Sequence, residues 1–163
     1  QALWAKILAG EANSPGKFSK KTVNLVAALD KSDTQAFTKL CSYAVMIEGF
    51  RILLVYDSKS NIYTDNGIDF FTLSNLEGIG LVKFDTAAGF VRREFGPRGL
   101  VVYYDHRIWL ELSNKDKSLL KIGFVMLTEP GLQLASVCGA QPVAGFVDYL
   151  KEKWKEFGYK IEP

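Results

Sequence analysis

Histidine, cysteine, long apolar runs and net charge are all in short supply in this 163-residue chain, and each shortage removes a class of function. His106 is the sole histidine, and Cys41 and Cys138 are the only cysteines. A zinc centre needs about four ligands drawn from Cys, His and carboxylates, and no spacing here proposes one. Neither a metal nor any other cofactor is therefore expected. Asp105 next to His106 has the composition of part of a Ser–His–Asp arrangement, but there is no Gly-x-Ser-x-Gly elbow and no reactive-cysteine signature. The Asp105-His106-Arg107 run reads instead as a turn that leaves His106 in solvent. No apolar run approaches the roughly 20 residues needed to cross a bilayer, so no membrane span is expected in this segment. With 20 basic and 18 acidic side chains the formal charge is +2. That balance exerts no global pull on nucleic acid or anionic lipid. The cysteines are far apart in sequence, and Cys41 lies on the apolar side of an expected helix. It reads as a buried free thiol, which favours a reducing, cytoplasmic setting.

What is present is core material. Apolar residues make up 48% of the chain, with 3 Trp, 7 Tyr and 11 Phe. Residues 2–11, ALWAKILAGE, are helical in period from the first residue, with Leu3 and Ile7 on one face. No Ser, Thr, Asp or Asn precedes them as a cap. The expectation is a piece, the C-terminal part, of a longer protein. Asn13-Ser14-Pro15-Gly16 is a turn signal. Gly10–Lys17, GEANSPGK, is one residue too long for a phosphate-binding loop, has Phe18 in place of Ser/Thr, and follows a helix rather than a strand. It reads as a helix stop. Glu11 reads as a capping or interhelical hydrogen-bond acceptor.

Ser19 is expected to cap a second helix and Ser32, with Gln35 as capping box, a third. The buried stripe of the third is Ala36, Phe37, Leu40, Cys41, Ala44 and Val45. From Phe50 the pattern turns β-rich, with Asp69 capping a fourth helix that ends at Gly80. Strands are expected at 90–95, 100–104, 108–112 and 120–127, joined by turns at 96–99, 105–107 and 114–118. Thr128 or Glu129 starts a short helix, and Pro142 opens a last amphipathic one. The expected architecture is α+β: a helical bundle over 1–49, then a winged-helix-like α+β region over 50–163, forming one domain with a small antiparallel sheet and a C-terminal amphipathic helix.

Two resemblances follow from particular residues. Leu73-x-x-Leu76-x-x-x-Gly80-Leu81-Val82, a hairpin, then Leu127-Thr128-x-x-Gly131-x-x-Leu134 resembles the winged-helix pattern over roughly 68–136. The segments Leu3-Trp4-Ala5-Lys6-Ile7-Leu8-Ala9-Gly10-Glu11 and Pro15-Gly16-Lys17-Phe18-Ser19 resemble the LWAxxLAGE…PGxFS signature of a bacterial family known only as a domain of unknown function. That second resemblance implies no activity and no catalytic residue.

The winged-helix resemblance raises DNA reading, and the residues argue against it. The would-be reading helix presents Asp69, Thr72, Ser74, Asn75 and Glu77, with no Lys or Arg. Duplex readers carry cations for phosphates and Arg, Asn or Gln for base edges. One like-charge contact at 4 Å costs about 1 kcal/mol in water. The counterweight is the hairpin region, where Arg92, Arg93, Arg98 and Arg107 fall within sixteen residues. These arginines, with Tyr104 nearby, form the candidate binding set for a protein or a phosphate backbone. The bland alternative is a solvated face with local pairs to Glu94 and Asp105. The leading expectation is a non-enzymatic protein-interaction or regulatory module of a larger bacterial protein, with a protein partner or self-association. Nucleic-acid binding through the basic hairpin is the less favoured alternative. A third class, an unrecognised enzyme, would need a pocket with converging polar groups of perturbed pKa.

Overall fold

A computed structural model describes residues 2–112 and 119–162. The turn expected at 114–118 lies outside the described residues. Three helices open the chain: α1 (Ala2–Asn13), α2 (Lys20–Ala28) and α3 (Lys31–Cys41). Ser19 caps α2 by accepting the Thr22 N–H, as expected. The cap of α3 is Asp30 rather than Ser32. Asp30 Oδ1 accepts the Asp33 N–H at 2.7 Å, and Asp33 accepts the Asp30 N–H in return. Two overlapping capping boxes are available in Asp30–Gln35. The upstream one wins because it puts carboxylates at the positive end of the helix dipole.

The larger correction lies just beyond. Helix α3 stops at Cys41, and Ala44–Ile47 is strand β1, paired with β2 (Phe50–Leu53). The expected boundary near residue 49 thus falls inside a β-hairpin. A short apolar run such as Ala44-Val45-Met46-Ile47 fits either period, and pairing with β2 and β5 decides for the strand.

Helices α4 (Asn61–Thr64) and α5 (Phe70–Ile79) follow, then strands β3 (Val82–Phe84) and β4 (Phe90–Arg92). The hairpin β5 (Arg98–Tyr103) and β6 (His106–Glu111) comes next. Strands β7 (Leu120–Gly123) and β8 (Val125–Leu127) then return to pair with β4 and β3. The chain closes with α6 (Glu129–Ala135), α7 (Phe146–Glu156) and β9 (Lys160–Glu162). The main sheet has the order β2-β1-β5-β6-β9, with every ladder antiparallel. The fold is α+β.

The β5–β6 hairpin shows why one sheet face is core and the other surface. Gly99, Val101 and Tyr103 are buried, and across the ladder so are Ile108 and Leu110. The alternate positions point outward. Against the inner face lies α7, whose Phe146 meets Tyr43 and Tyr103 edge-on, with ring centroids 5.0 and 5.1 Å away. Core phenols donate to backbone carbonyls, whereas the buried Tyr149 hydroxyl has no hydrogen-bond partner among the described residues. Tyr43 donates to the Ile62 carbonyl (2.6 Å), Tyr63 to Leu54 (2.8 Å) and Tyr103 to Ser42 (2.7 Å). Trp154, also buried, donates Nε1–H to the Tyr56 hydroxyl at 3.0 Å. Burying a phenol O–H or indole N–H without such a partner would cost about 1–3 kcal/mol.

The α5-to-α6 passage has its own logic. Helix α5 is capped by Asp69 and ends in left-handed Gly80. Thr128 N–H donates to the Leu81 carbonyl (3.1 Å), and its hydroxyl donates to the Gly80 carbonyl (2.6 Å) while accepting from Gly131 N–H (3.2 Å). A Cβ on Gly131 would stand 2.1 Å from the Leu81 carbonyl oxygen. The Leu-Thr-x-x-Gly run is thus a backbone clasp between the end of α5 and the start of α6.

Candidate functional site

The signature residues at the amino end serve the architecture. Glu11 reaches across the turn, its two carboxylate oxygens accepting the Gly16 N–H (2.9 Å) and the Phe18 N–H (2.6 Å). These two bonds hold its pKa below the usual value, because hydrogen bonds to the charged form favour it. Gly10 leaves room for the Phe18 ring: a Cβ there would lie 2.7 Å from Phe18 Cε2. The turn carries the chain into α2, where the Ser19 N–H and the Thr22 hydroxyl both donate to Gln133 Oε1 on α6, at 3.0 and 2.7 Å. Glu11 is therefore a structural acceptor that closes the α1–α2 turn, where the sequence suggested a cap or an interhelical bond.

The four arginines are not one patch. Arg92, on β4, pairs with Glu48 at 3.2 Å and lies over the Phe50 ring, 4.6 Å from its centroid. Arg98 opens β5, pairs with Glu162 of β9, and covers Trp109 at 4.7 Å. The pairs are thus long-range rather than the local ones to Glu94 and Asp105. Arg93 and Arg107 are exposed and form no ion pair among the described residues.

Arg98 and Arg107 do share a surface. Arg98 is opposite Glu111 and Arg107 opposite Val102, so both fall on the outward face of β5–β6, roughly 13 Å apart along the strands. Trp109 stands between them, paired with Leu100 and 39% exposed. Tyr104 ends the same row at the turn, with positive φ (49°) and 42% exposure, while Tyr103 points into the core. Lys160 and Glu162 of β9 extend the face, Lys160 pairing with Glu111 at 3.2 Å. Sequence reasoning left Trp109 out of the candidate set. The signal was available, since its parity matches Arg107 rather than Ile108. His106 is exposed at the start of β6, as the turn predicts.

Helix α5 carries no cation, and three of its polar side chains are engaged within the molecule. Asn75 donates to Asp33 (3.0 Å), Glu77 accepts from the Phe84 N–H (2.8 Å), and the Thr72 hydroxyl donates to the Gly67 carbonyl (2.9 Å). Phe71 stands out of the same helix at 80% exposure. Neither the ion pairs nor the ring contacts of the four arginines reach α5 among the described residues.

One further arrangement escaped the sequence. Cys41 lines a cleft of about 340 Å³ together with Arg51, Tyr104 and residues Ser136 and Gly139, which flank Cys138 in the chain. The nearby Cys138 thiol and burial push the Cys41 thiol up. Ninety-six residues separate them in the chain, so no local pattern could announce it.

With this geometry in hand, the comparison with known families is direct. A family model described as protein of unknown function (DUF2806) matches residues 1–151, and the chain belongs to that family. No match was found among curated proteins or among solved structures. The matched region holds the Glu11 clamp, the α2–α6 tie and most of the outward face; β9 lies beyond it.

Proposed function

We propose that this chain is a non-enzymatic protein-interaction module that binds through the outward face of β5, β6 and β9. The observation that carries this reading is the row Arg98, Trp109, Arg107 and Tyr104, held outward on a rigid sheet. Trp, Tyr and Arg are the residues most enriched among the energetic centres of protein interfaces. A guanidinium stacked on an indole presents a flat, preorganised contact that loses little side-chain freedom on binding. The charges on the face are mixed, with Glu111 and Glu162 beside Arg98, Arg107 and Lys160. That mixture suits a protein surface better than a polyanion.

The order α5, β3, the nested ladders, β8 and α6 supports the winged-helix-like reading of residues 68–136. Such a scaffold here lacks a cationic reading helix, and Asn75 and Glu77 are already bonded internally. Nucleic-acid binding through the arginines is the alternative, and the Glu48 and Glu162 pairs weigh against it.

The test has two arms. Sedimentation across a concentration series, together with affinity capture, compares wild type with a Trp109→Ala/Arg107→Glu variant and with the four-arginine-to-Ala variant. Loss of self-association or of a captured partner in the variants is the expected result. If both variants keep every partner, the assignment of this face is wrong. A gel shift on random duplex at low salt, weakening steeply as salt rises, would replace the protein reading with the nucleic-acid one.

A further inference from the structure

A groove of about 260 Å³ lies at the β2 edge of the main sheet, the edge opposite β9. All four residues of β2 and all three of β8 line it. Successive strand side chains point to opposite faces, so a groove touched by every residue of both strands runs along their edges. The registers agree. Leu54 N–H donates to the Tyr43 carbonyl (3.1 Å), which makes Ala44 and Leu53 a pair that does not bond to each other. The backbone groups of Leu53 and Arg51 therefore point away from β1. By the same rule, Asp85 N–H on the Phe124 carbonyl (2.9 Å) and Thr128 N–H on the Leu81 carbonyl (3.1 Å) turn the backbone groups of Val125 and Leu127 away from β3. Phe124 N–H reaches the Val55 carbonyl at 2.9 Å, just past the end of β2. Among the described residues no backbone hydrogen bond joins β2 to β8 themselves.

The side chains supply the rest. Ile52, Ile122, Val125 and Leu127 make the groove apolar, while Phe50, Val91 and Leu132 in its walls are 60%, 46% and 42% exposed. Arg51 and Arg92 are its charged residues, with no acid among the lining side chains. Arg92 Nε is buried and has no hydrogen-bond partner among the described residues, although the same guanidinium reaches Glu48 through another nitrogen. Arg51 forms no ion pair among them.

We propose that a partner protein lays an extended segment along the β2 edge, with apolar side chains in this groove and an Asp or Glu facing Arg51 and Arg92. Outward backbone groups on an edge strand are a template for one more strand, and pockets for alternate side chains give such pairing its specificity. The charges select the occupant. A second copy paired through its own β2 would set guanidinium groups against each other, with no acid in Phe50–Leu53 to offset them. A free acyl chain would leave the outward N–H and C=O groups without partners. An apolar strand carrying a carboxylate answers both. The site stands apart from the β5–β6–β9 face.

The probe is a set of short blocked peptides in which Val, Ile or Leu alternates with Thr, with Glu, Gln or Lys placed in turn at each central position. Each is titrated into the whole isotope-labelled chain and followed by amide NMR. Glu peptides should shift the amides of Phe50–Leu53 and Val125–Leu127 and slow hydrogen exchange at Arg51. Gln in place of Glu should weaken binding about tenfold, and Lys further. Arg51→Gln/Arg92→Gln should erase the preference for Glu over Gln, and Leu132→Asp should weaken the Glu peptides about tenfold or more. N-methylated peptides test the edge on the unaltered protein. Methyl groups on alternate residues of one parity should abolish binding, and on the other parity should leave it. The Trp109→Ala/Arg107→Glu variant should bind the peptides as wild type does. The proposal fails if no peptide moves the β2 amides at millimolar concentration, if neither parity of N-methylation has an effect, or if the Trp109→Ala/Arg107→Glu variant loses binding. It fails also if Leu132→Asp abolishes a dimer, which would make a second copy the occupant, or if decanoate binds in the groove and the peptides do not.

Discussion

Two regions rich in polar residues have opposite characters. In the amino-terminal signature region, Glu11, Ser19 and Thr22 are all consumed by the turn and by the tie to Gln133. On the outward face of β5–β6, Arg98, Arg107, Trp109 and Tyr104 face solvent while the opposite face holds the core. The difference teaches where to look for function in this family. A recognisable sequence signature can mark a structural joint, while the contact face we propose lies elsewhere, on the outward side of β5–β6. Part of that surface, Lys160–Glu162, lies outside the matched residues altogether.

The comparison is sharpest when broken from the architectural side. Trp154 is 1% exposed and bonded to Tyr56, so Trp154→Ala should cost about 3–5 kcal/mol in urea unfolding. Gly131→Ala forces a methyl group against the Leu81 carbonyl, and a loss of about 1–3 kcal/mol is expected from overpacking. A neutral result would show that α6 can shift without disturbing the clasp. Asp69→Ala removes the α5 cap and should cost about 1 kcal/mol. Each of these should reduce stability with the binding face still formed in the folded fraction.

Glu11 offers a test by pH. Its carboxyl is held below the ordinary value of 4.5 by the Phe18 and Gly16 N–H bonds. A depressed folded pKa adds stability above the unfolded value, and that stability is lost as pH falls through the folded one. Glu11→Gln should therefore be less stable than wild type at neutral pH, and the gap should close as pH drops below 4.5. A gap that persists unchanged in acid would remove the carboxylate from the clamp. The smallest effect on stability belongs to the other region. Arg98→Ala breaks an exposed ion pair and a stacked contact, and should cost no more than about 1 kcal/mol. Its larger consequence should be weakened partner binding, measured on the same sample.

Some of this was legible residue by residue. Ser19, Asp69 and Thr128 announced their helices because a cap is a local hydrogen bond, readable within three positions. The turn at Asp105 was legible for the same reason. Strand β1 was not, because four apolar residues satisfy both periods until a partner strand arrives. Strand β9 was missed because three residues carry too little pattern.

Chain-local preferences thus determined the starts of α2, α5 and α6, the turn after α1, the α+β class and the absence of cations on α5, since backbone hydrogen bonding and side-chain period act over a few residues. Tertiary structure alone decided that Arg92 meets Glu48, that Arg98 meets Glu162, and that Cys41 shares a cleft with the residues flanking Cys138. The two ion pairs span 44 and 64 positions along the chain, and Cys138 lies 97 beyond Cys41. Over such separations loop closure is governed by the packing of the whole core, and no pattern in the intervening residues encodes which pair will touch.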